Sequence, residues 1–207
     1  MKKRCDWANT KNELYLKYHD EEWGIPVHND NKLFEMLILE GAQAGLSWET
    51  VLKKRVDYRK AFSNFDPLKI SKYNESKQQK LLKNERIIRN RLKIKSAIQN
   101  AKIFLKIQDE FGNFNKYIWS YVDDKPLQNN FKSLSDIPAK TDLSDRISKD
   151  LKKRGMNFVG STIIYAFMQA IGLVNDHTKN CFRYRELKKT AVILVLFSSL
   201  RDTVSPR

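Results

Sequence analysis

Along most of this 207-residue chain, apolar residues recur at helical spacing, and no window alternates long enough to demand a sheet. The fold class this dictates is all-α. Leu33, Met36 and Leu37 share a face of a helix introduced by Pro26 and the polar run 28–31 and reaching about Gln43. Gly45 interrupts. Ser47 suits the N-cap of the next helix, and Glu49 in its first turn suits the helix dipole. Trp48, Val51, Leu52, Tyr58 and Phe62 keep helical spacing there, and Asp66-Pro67 turns the chain. The pattern predicts a long helix over about 85–111 that ends at Gly112. It also predicts a short helix over 117–122, a connection over 126–141, and helices over about 144–153 and 161–171. A hydrophobic fraction of 41% with 11% aromatic residues is enough for one domain, or two small lobes sharing a core, and excludes wholesale disorder.

Charge narrows the partners. Lys and Arg number 39 against 24 Asp and Glu, a net +15. Such an excess suits a polyanion, either nucleic acid or an anionic membrane, although a composition rich in Lys, Asn and Ile contributes to it. The apolar run Ala191 to Phe197 is seven residues long, against roughly 20 for a spanning helix. The start Met1-Lys2-Lys3-Arg4 is followed by Cys5-Asp6-Trp7, where a secretory leader needs apolar residues. The expectation is a cytoplasmic protein without a membrane partner, a monomer, in which two cysteines do not form a structural disulfide.

Four constellations can carry chemistry, each with a plainer alternative. Cys5 and His19 lie near the start and His177-x-x-x-Cys181 near the end. An i, i+4 pair on one helical turn can chelate an ion, and a second pair completes a closed Cys2His2 site. The alternative is two free thiols and two surface histidines; His28 reads as a loop residue. Glu40 continues the face of Leu33, Met36 and Leu37, so it either reaches solvent at the helix end or is paired or lines a cavity. Trp7, Tyr15, Tyr18, Trp23 and Trp48 crowd the first 48 residues, as base-stacking faces or as core. Lys149 to Gly155, continuing to Gly160, reads as a basic helical hairpin whose glycines admit a phosphate, or as a solvated basic face.

Taken together the chain resembles the DNA-3-methyladenine glycosylase I family of the helix-hairpin-helix superfamily. The resemblance is carried by Arg4-Cys5-Asp6-Trp7, by Tyr18-His19-Asp20-Glu21-Glu22-Trp23-Gly24-Ile25-Pro26 and by Lys32-Leu33-Phe34-Glu35-Met36. It continues through Leu39-Glu40-Gly41-Ala42-Gln43-Ala44-Gly45-Leu46-Ser47-Trp48. Its last segments are Leu151-Lys152-Lys153-Arg154-Gly155-Met156-Asn157-Phe158-Val159-Gly160 and Gly172-Leu173-Val174-Asn175-Asp176-His177. It covers about residues 4–181.

The resemblance implies a single glycosylase domain over 1–184, two lobes sharing a pocket. Its activity would be hydrolytic release of 3-methyladenine, or another N3-alkylated purine, from double-stranded alkylated DNA. It also implies a structural zinc ion on Cys5, His19, His177 and Cys181 that joins the terminal segments. Glu40 becomes the pocket acid. Tyr18 and Trp48 become pocket aromatics, with Trp7 and Trp23 close by. Gly45 and Leu46 belong to a loop that enters the DNA, and Lys152, Lys153, Gly155 and Gly160 to the DNA-binding hairpin. The superfamily's usual catalytic aspartate is missing. The tail 185–207 departs from the resemblance. A competing reading keeps the scaffold as a non-catalytic DNA-binding module.

Overall fold

Helix starts in this protein are set by side chains that accept the first free backbone N–H groups. Asn12 accepts from Tyr15 N–H at the start of α1 (Glu13–Glu21), Asn29 from Lys32 N–H at α2 (Asp30–Gln43), and Ser47 from Thr50 N–H at α3 (Trp48–Ala61). Asp66 opens the short α4 (Pro67–Ile70) and Asn74 opens α5 (Glu75–Lys83). Next come α6 (Arg91–Phe111), α7 (Phe114–Trp119), α8 (Asp142–Lys153), α9 (Ser161–Ala170) and a helical segment over 182–189. The computed structural model describes residues 2–189, and the apolar run 191–197 lies outside them.

The long helix expected from about residue 85 starts only at Arg91, and a separate helix, α5, which the sequence reading did not assign, precedes it. The break at 84–90 is held by local hydrogen bonds that compete with helix. Asn84 accepts from Arg86 N–H, Ile88 N–H donates to the Tyr58 hydroxyl, and Asn90 accepts from Lys93 N–H to start α6. Gly112, at φ +84°, ends α6 as expected. The stretch expected as connection contributes one strand of a two-residue parallel pair, Leu127–Gln128 beside Val174–Asn175, the only sheet among the described residues. No helix among the described residues is long and apolar enough to cross a membrane.

The chain divides into two compact units. The first takes the described residues up to Pro26, the stretch Val122–Pro138 and the described residues from Gln169 on. Segments far apart in the sequence meet there, since Phe182 N–H donates to Lys3 O at 2.8 Å. Asn175 ties the unit together: its amide donates to Gln128 and to Tyr184 O, and its oxygen accepts from His177 N–H.

The second unit, Val27–Tyr121 with Ala139–Met168, is built round α6, which packs against α2, α4, α5 and α7. Phe104 stands edge-on to Phe34 and stacks on Phe114, all three buried. Two devices hold α2. At its start the Asp30 carboxylate accepts from Phe114 and Asn115 N–H and from the Gln108 amide. Further along, Glu35 accepts from Arg55 Nε at 2.6 Å and from Arg59 at 2.8 Å, both on α3. Burial alone would raise the Glu35 carboxyl, but Arg55 and Lys32 hold it below the usual carboxylate range. The helix that carries Glu40 is thereby fixed before its C-terminal end is reached.

Candidate functional site

In the first unit, Cys5, His19, His177 and Cys181 converge, all buried, with donor atoms within 4.8 Å of one another. The His177–Cys181 spacing works on a turn closed by Cys181 N–H to Thr178 O, just before the helical segment 182–189, and not on the helical turn expected. Cys5 Sγ lies 3.4 Å from His177 Nδ1, and Cys181 Sγ lies 3.5 Å from both His177 Nδ1 and His19 Nε2. Donors about 2.0–2.3 Å from a tetrahedral ion stand about 3.5 Å apart, and these three separations match that spacing. Each imidazole is oriented from behind. His19 Nδ1 pairs with Asp20 at 2.7 Å, and Asp20 is gripped by Arg4; His177 Nε2 lies 3.0 Å from the Trp23 carbonyl. These contacts direct His19 Nε2 and His177 Nδ1 into the cluster.

Two sulfurs and two imidazole nitrogens are the donor types of a closed tetrahedral site. The bond from Cys5, and then His177 and His19, pull the Cys181 thiol down, while that pairing and burial push the Cys5 thiol up. A dication between the two sulfurs would favour the thiolate form of both. Trp7 stands edge-on to His19 at 5.0 Å and Trp23 edge-on to His177 at 4.6 Å, so both indoles wall the cluster. Tyr18, buried on α1, belongs to the same unit.

In the second unit, Glu40 is 4% exposed and has no hydrogen bond or ion pair among the described residues. Burial pushes its carboxyl up to about 8, against the opposing charge of Arg55. Glu35, five residues earlier on the same helix, is shifted the other way by its arginines. A helix that pairs one buried carboxylate and leaves the next unpaired makes the second a candidate functional group. Glu40 lines an open cleft of about 200 Å³ with Gln43, Gly45, Leu46, Thr162, Ile163 and neighbouring alanines. Gly45, at φ +76°, turns the chain out of α2 and leaves Leu46 42% exposed. Trp48 is buried in the first turn of α3 and is not part of this lining.

The hairpin between α8 and α9 is held from inside. Gly155 takes φ +100° and Phe158 φ +54°. Asn100 on α6 donates to Asn157 O and accepts from Asn157 N–H, both at 2.8 Å, and Ser148 donates to Val159 O at 2.6 Å. Lys152 and Lys153 are exposed. Arg154 turns inward to Glu110 and Asp150, over the Phe111 and Tyr117 rings.

A family model described as methyladenine glycosylase matches residues 7–184. The chain belongs to the methyladenine glycosylase family. It is 49% identical to DNA-3-methyladenine glycosylase 1 of Escherichia coli over 181 residues, 87% of this chain and 96% of that protein. A crystal structure of 3-methyladenine DNA glycosylase I superposes with a TM-score of 0.84 at 51% identity, covering 87% of this chain and 98% of that one. A variant of such an enzyme, in complex with 3-methyladenine, superposes at 0.82 with 37% identity, covering 84% and 93%.

For this methyladenine glycosylase, sequence reasoning did not pick out Thr162, Ile163 or Asn100. Ile163 lies off the buried face of Ile164, Phe167, Met168 and Ile171, an apolar residue left half-exposed, and that was the available signal. Asn100, 3% exposed amid an apolar stripe, is a polar residue that must find partners. Asn100→Leu removes both bonds to Asn157 and is expected to lower stability by about 1–3 kcal/mol. Urea unfolding should show that loss, and duplex binding should weaken while binding of free 3-methyladenine stays unchanged.

Proposed function

We propose that this chain extrudes an alkylated nucleotide from duplex DNA and hydrolyses its N-glycosidic bond, releasing 3-methyladenine and leaving an abasic site for base-excision repair. The observation that carries the reading at the site is the unpaired, buried Glu40 carboxyl at the edge of an open cleft. A nucleotide methylated at N3 of adenine is a cation with an already weak glycosidic bond, so the leaving base needs no protonation. Glu40 is a neutral acid while the cleft is empty and ionises beside the cationic base, where it accepts hydrogen bonds from the base edge. Neutral adenine supplies no charge to stabilise that ionisation, which is the basis of rejection. Tyr18, Trp48, Trp7 and Trp23 are assigned base contacts by the family resemblance, through the attraction of aromatic faces for a cation.

The metal in this reading is one zinc ion per chain. Four protein donors leave no open position for water, so its role is structural. The stretch 151–160 acts as the helix-hairpin-helix element. Lys152 and Lys153 attract phosphate, while Gly155 and Gly160 let the backbone approach it. Gly45 and Leu46 enter the duplex where the base has left.

Release of 3-methyladenine from methylated duplex DNA is the deciding assay. Folded, metal-loaded protein that binds this DNA and releases no base would instead be a non-catalytic binding module. Affinity for undamaged duplex should be weak, sequence-independent and steeply salt-dependent. In Lys153→Glu the slope of log affinity against log salt should shrink by about one, and an unchanged slope would move the docking face elsewhere.

A further inference from the structure

Lys93 lies in the first turn of α6, two residues from Arg91 and two from Lys95, in a stretch where an exposed phosphate ligand would be expected. Its side chain does something else. The Nζ donates to Ala42 O and to Ala44 O, each at 2.7 Å. These carbonyls bracket the end of α2, which has no basic residue in its own last turn. Lys93 therefore supplies, from another helix, the cation that complements the negative end of the α2 dipole.

The bonds fall where the chain leaves helical geometry. Ala44 adopts φ −45°, ψ 116°, Gly45 follows at φ +76°, and Leu46 N–H reaches back to Gln43 O. A Cβ on Gly45 would meet nothing within 4 Å, so no side chain packs against the turn at that residue. The turn is held by Ala44 N–H to Gly41 O, by Leu46 N–H to Gln43 O and by the ammonium of Lys93. Glu40 stands one helical turn earlier on the same helix, so the exit of α2 also bounds the cleft.

We propose that Lys93 is a positioning residue for base release: by gripping the Ala42 and Ala44 carbonyls it fixes the exit of α2, and so the direction in which Leu46 enters the gap left by the extruded nucleotide. The proposal rests on the reading that the 44–46 loop enters DNA. Two of the three ammonium protons are engaged with carbonyls, so Lys93 acts through the loop and not as a phosphate contact.

Binding to a duplex with a stable abasic-site analogue, compared with undamaged duplex and with free 3-methyladenine, tests this. Lys93→Met should bind the abasic duplex at least tenfold more weakly. Its affinity for undamaged duplex, the salt slope of that binding and its affinity for free 3-methyladenine should stay within about twofold of the parent. Lys93→Arg, which keeps the charge and can donate to both carbonyls, should recover most of the loss and guards against a folding defect in the methionine variant. Leu46→Ala serves as the control for the loop itself. If Leu46→Ala weakens abasic-site binding and Lys93→Met does not, the positioning role falls and the loop reading stands. If neither variant changes it, the loop reading fails and the role of Lys93 fails with it. Equal losses on abasic and undamaged duplex in Lys93→Met would make Lys93 an ordinary electrostatic contact and overturn the proposal.

Discussion

Glu40→Gln should lower 3-methyladenine release from duplex DNA about tenfold to a hundredfold and at the same time make the protein more stable at neutral and alkaline pH. The activity loss follows from removing the negative charge that complements the cationic base, since a charge-assisted hydrogen bond contributes about 1.5–3 kcal/mol. The preference for methylated over normal adenine should narrow as well. The stability gain follows from proton linkage. Burial raises the Glu40 carboxyl in the folded protein from 4.5 to about 8. Between those values the folded state holds a proton that the unfolded chain has released, so unfolding free energy falls as pH rises through this window and levels off above it. Glutamine has no proton to lose. The stability difference in its favour should therefore open above about pH 4.5 and reach on the order of 3 kcal/mol near pH 7.

The same ionisation shapes the parent enzyme's rate. The kcat/KM for base release should rise with pH up to about 8 and then flatten, as the free protein's Glu40 ionises, and this rise should be absent in Glu40→Gln. Thermal melts and base-release rates measured across pH 5–9 for both proteins separate this role from a merely structural one. Loss of stability and activity together, with an unaltered methylated-to-normal ratio, would remove Glu40 from recognition.

Removing the metal should produce the largest stability change. Metal analysis of purified protein should find about one zinc per chain, and Cys181→Ser or a strong chelator should abolish it. Structural zinc in small peptides contributes roughly 10–16 kcal/mol of apparent binding free energy, which is folding free energy wherever the site does not pre-exist. Here the imidazoles are oriented by Asp20 and the Trp23 carbonyl, and the indoles of Trp7 and Trp23 pack on them. Part of the site is thus preformed, and a loss of several kcal/mol is expected. It should appear as a large drop in Tm that added zinc restores in the parent and not in Cys181→Ser. Acid should have the same effect, because thiolate and imidazole donors take up protons in competition with the metal. Metal-free protein whose melting matches that of the variant and of the parent would exclude a structural metal.

Local chemistry in the sequence was legible wherever one side chain acts on its own neighbourhood. Ser47 caps α3 and Asn29 caps α2 because each accepts from a backbone N–H three residues on, and Gly112 ends α6 because glycine takes the left-handed conformation at no steric cost. The boundary at Asn90 was missed for a related reason. The run 85–111 has acceptable helical spacing, and the break at 84–90 is favoured by the Asn84 and Asn90 side chains together with the Tyr58 hydroxyl, brought from α3, which accepts from Ile88 N–H. The four candidate metal donors were legible as residue types, but their geometry was not. His177 and Cys181 face the cluster from a turn whose shape depends on Asn175, Gln128 and the paired strands.

What the sequence by itself determined is the helical class, the caps and breaks, the basic surface and the set of side chains capable of the chemistry. These depend on spacing and on groups adjacent along the chain. Tertiary structure decided which candidates share a site and in what protonation state. Glu35 and Glu40 are the same residue type on the same helix, yet one is held ionised by two arginines from α3 while the other is buried beside a cleft and holds its proton. Arg154 and Lys153 are adjacent cations, yet one faces Glu110 and Asp150 and the other faces water. Desolvation and Coulomb interaction are set by distance and burial in the folded chain, so that division arises only when the helices pack.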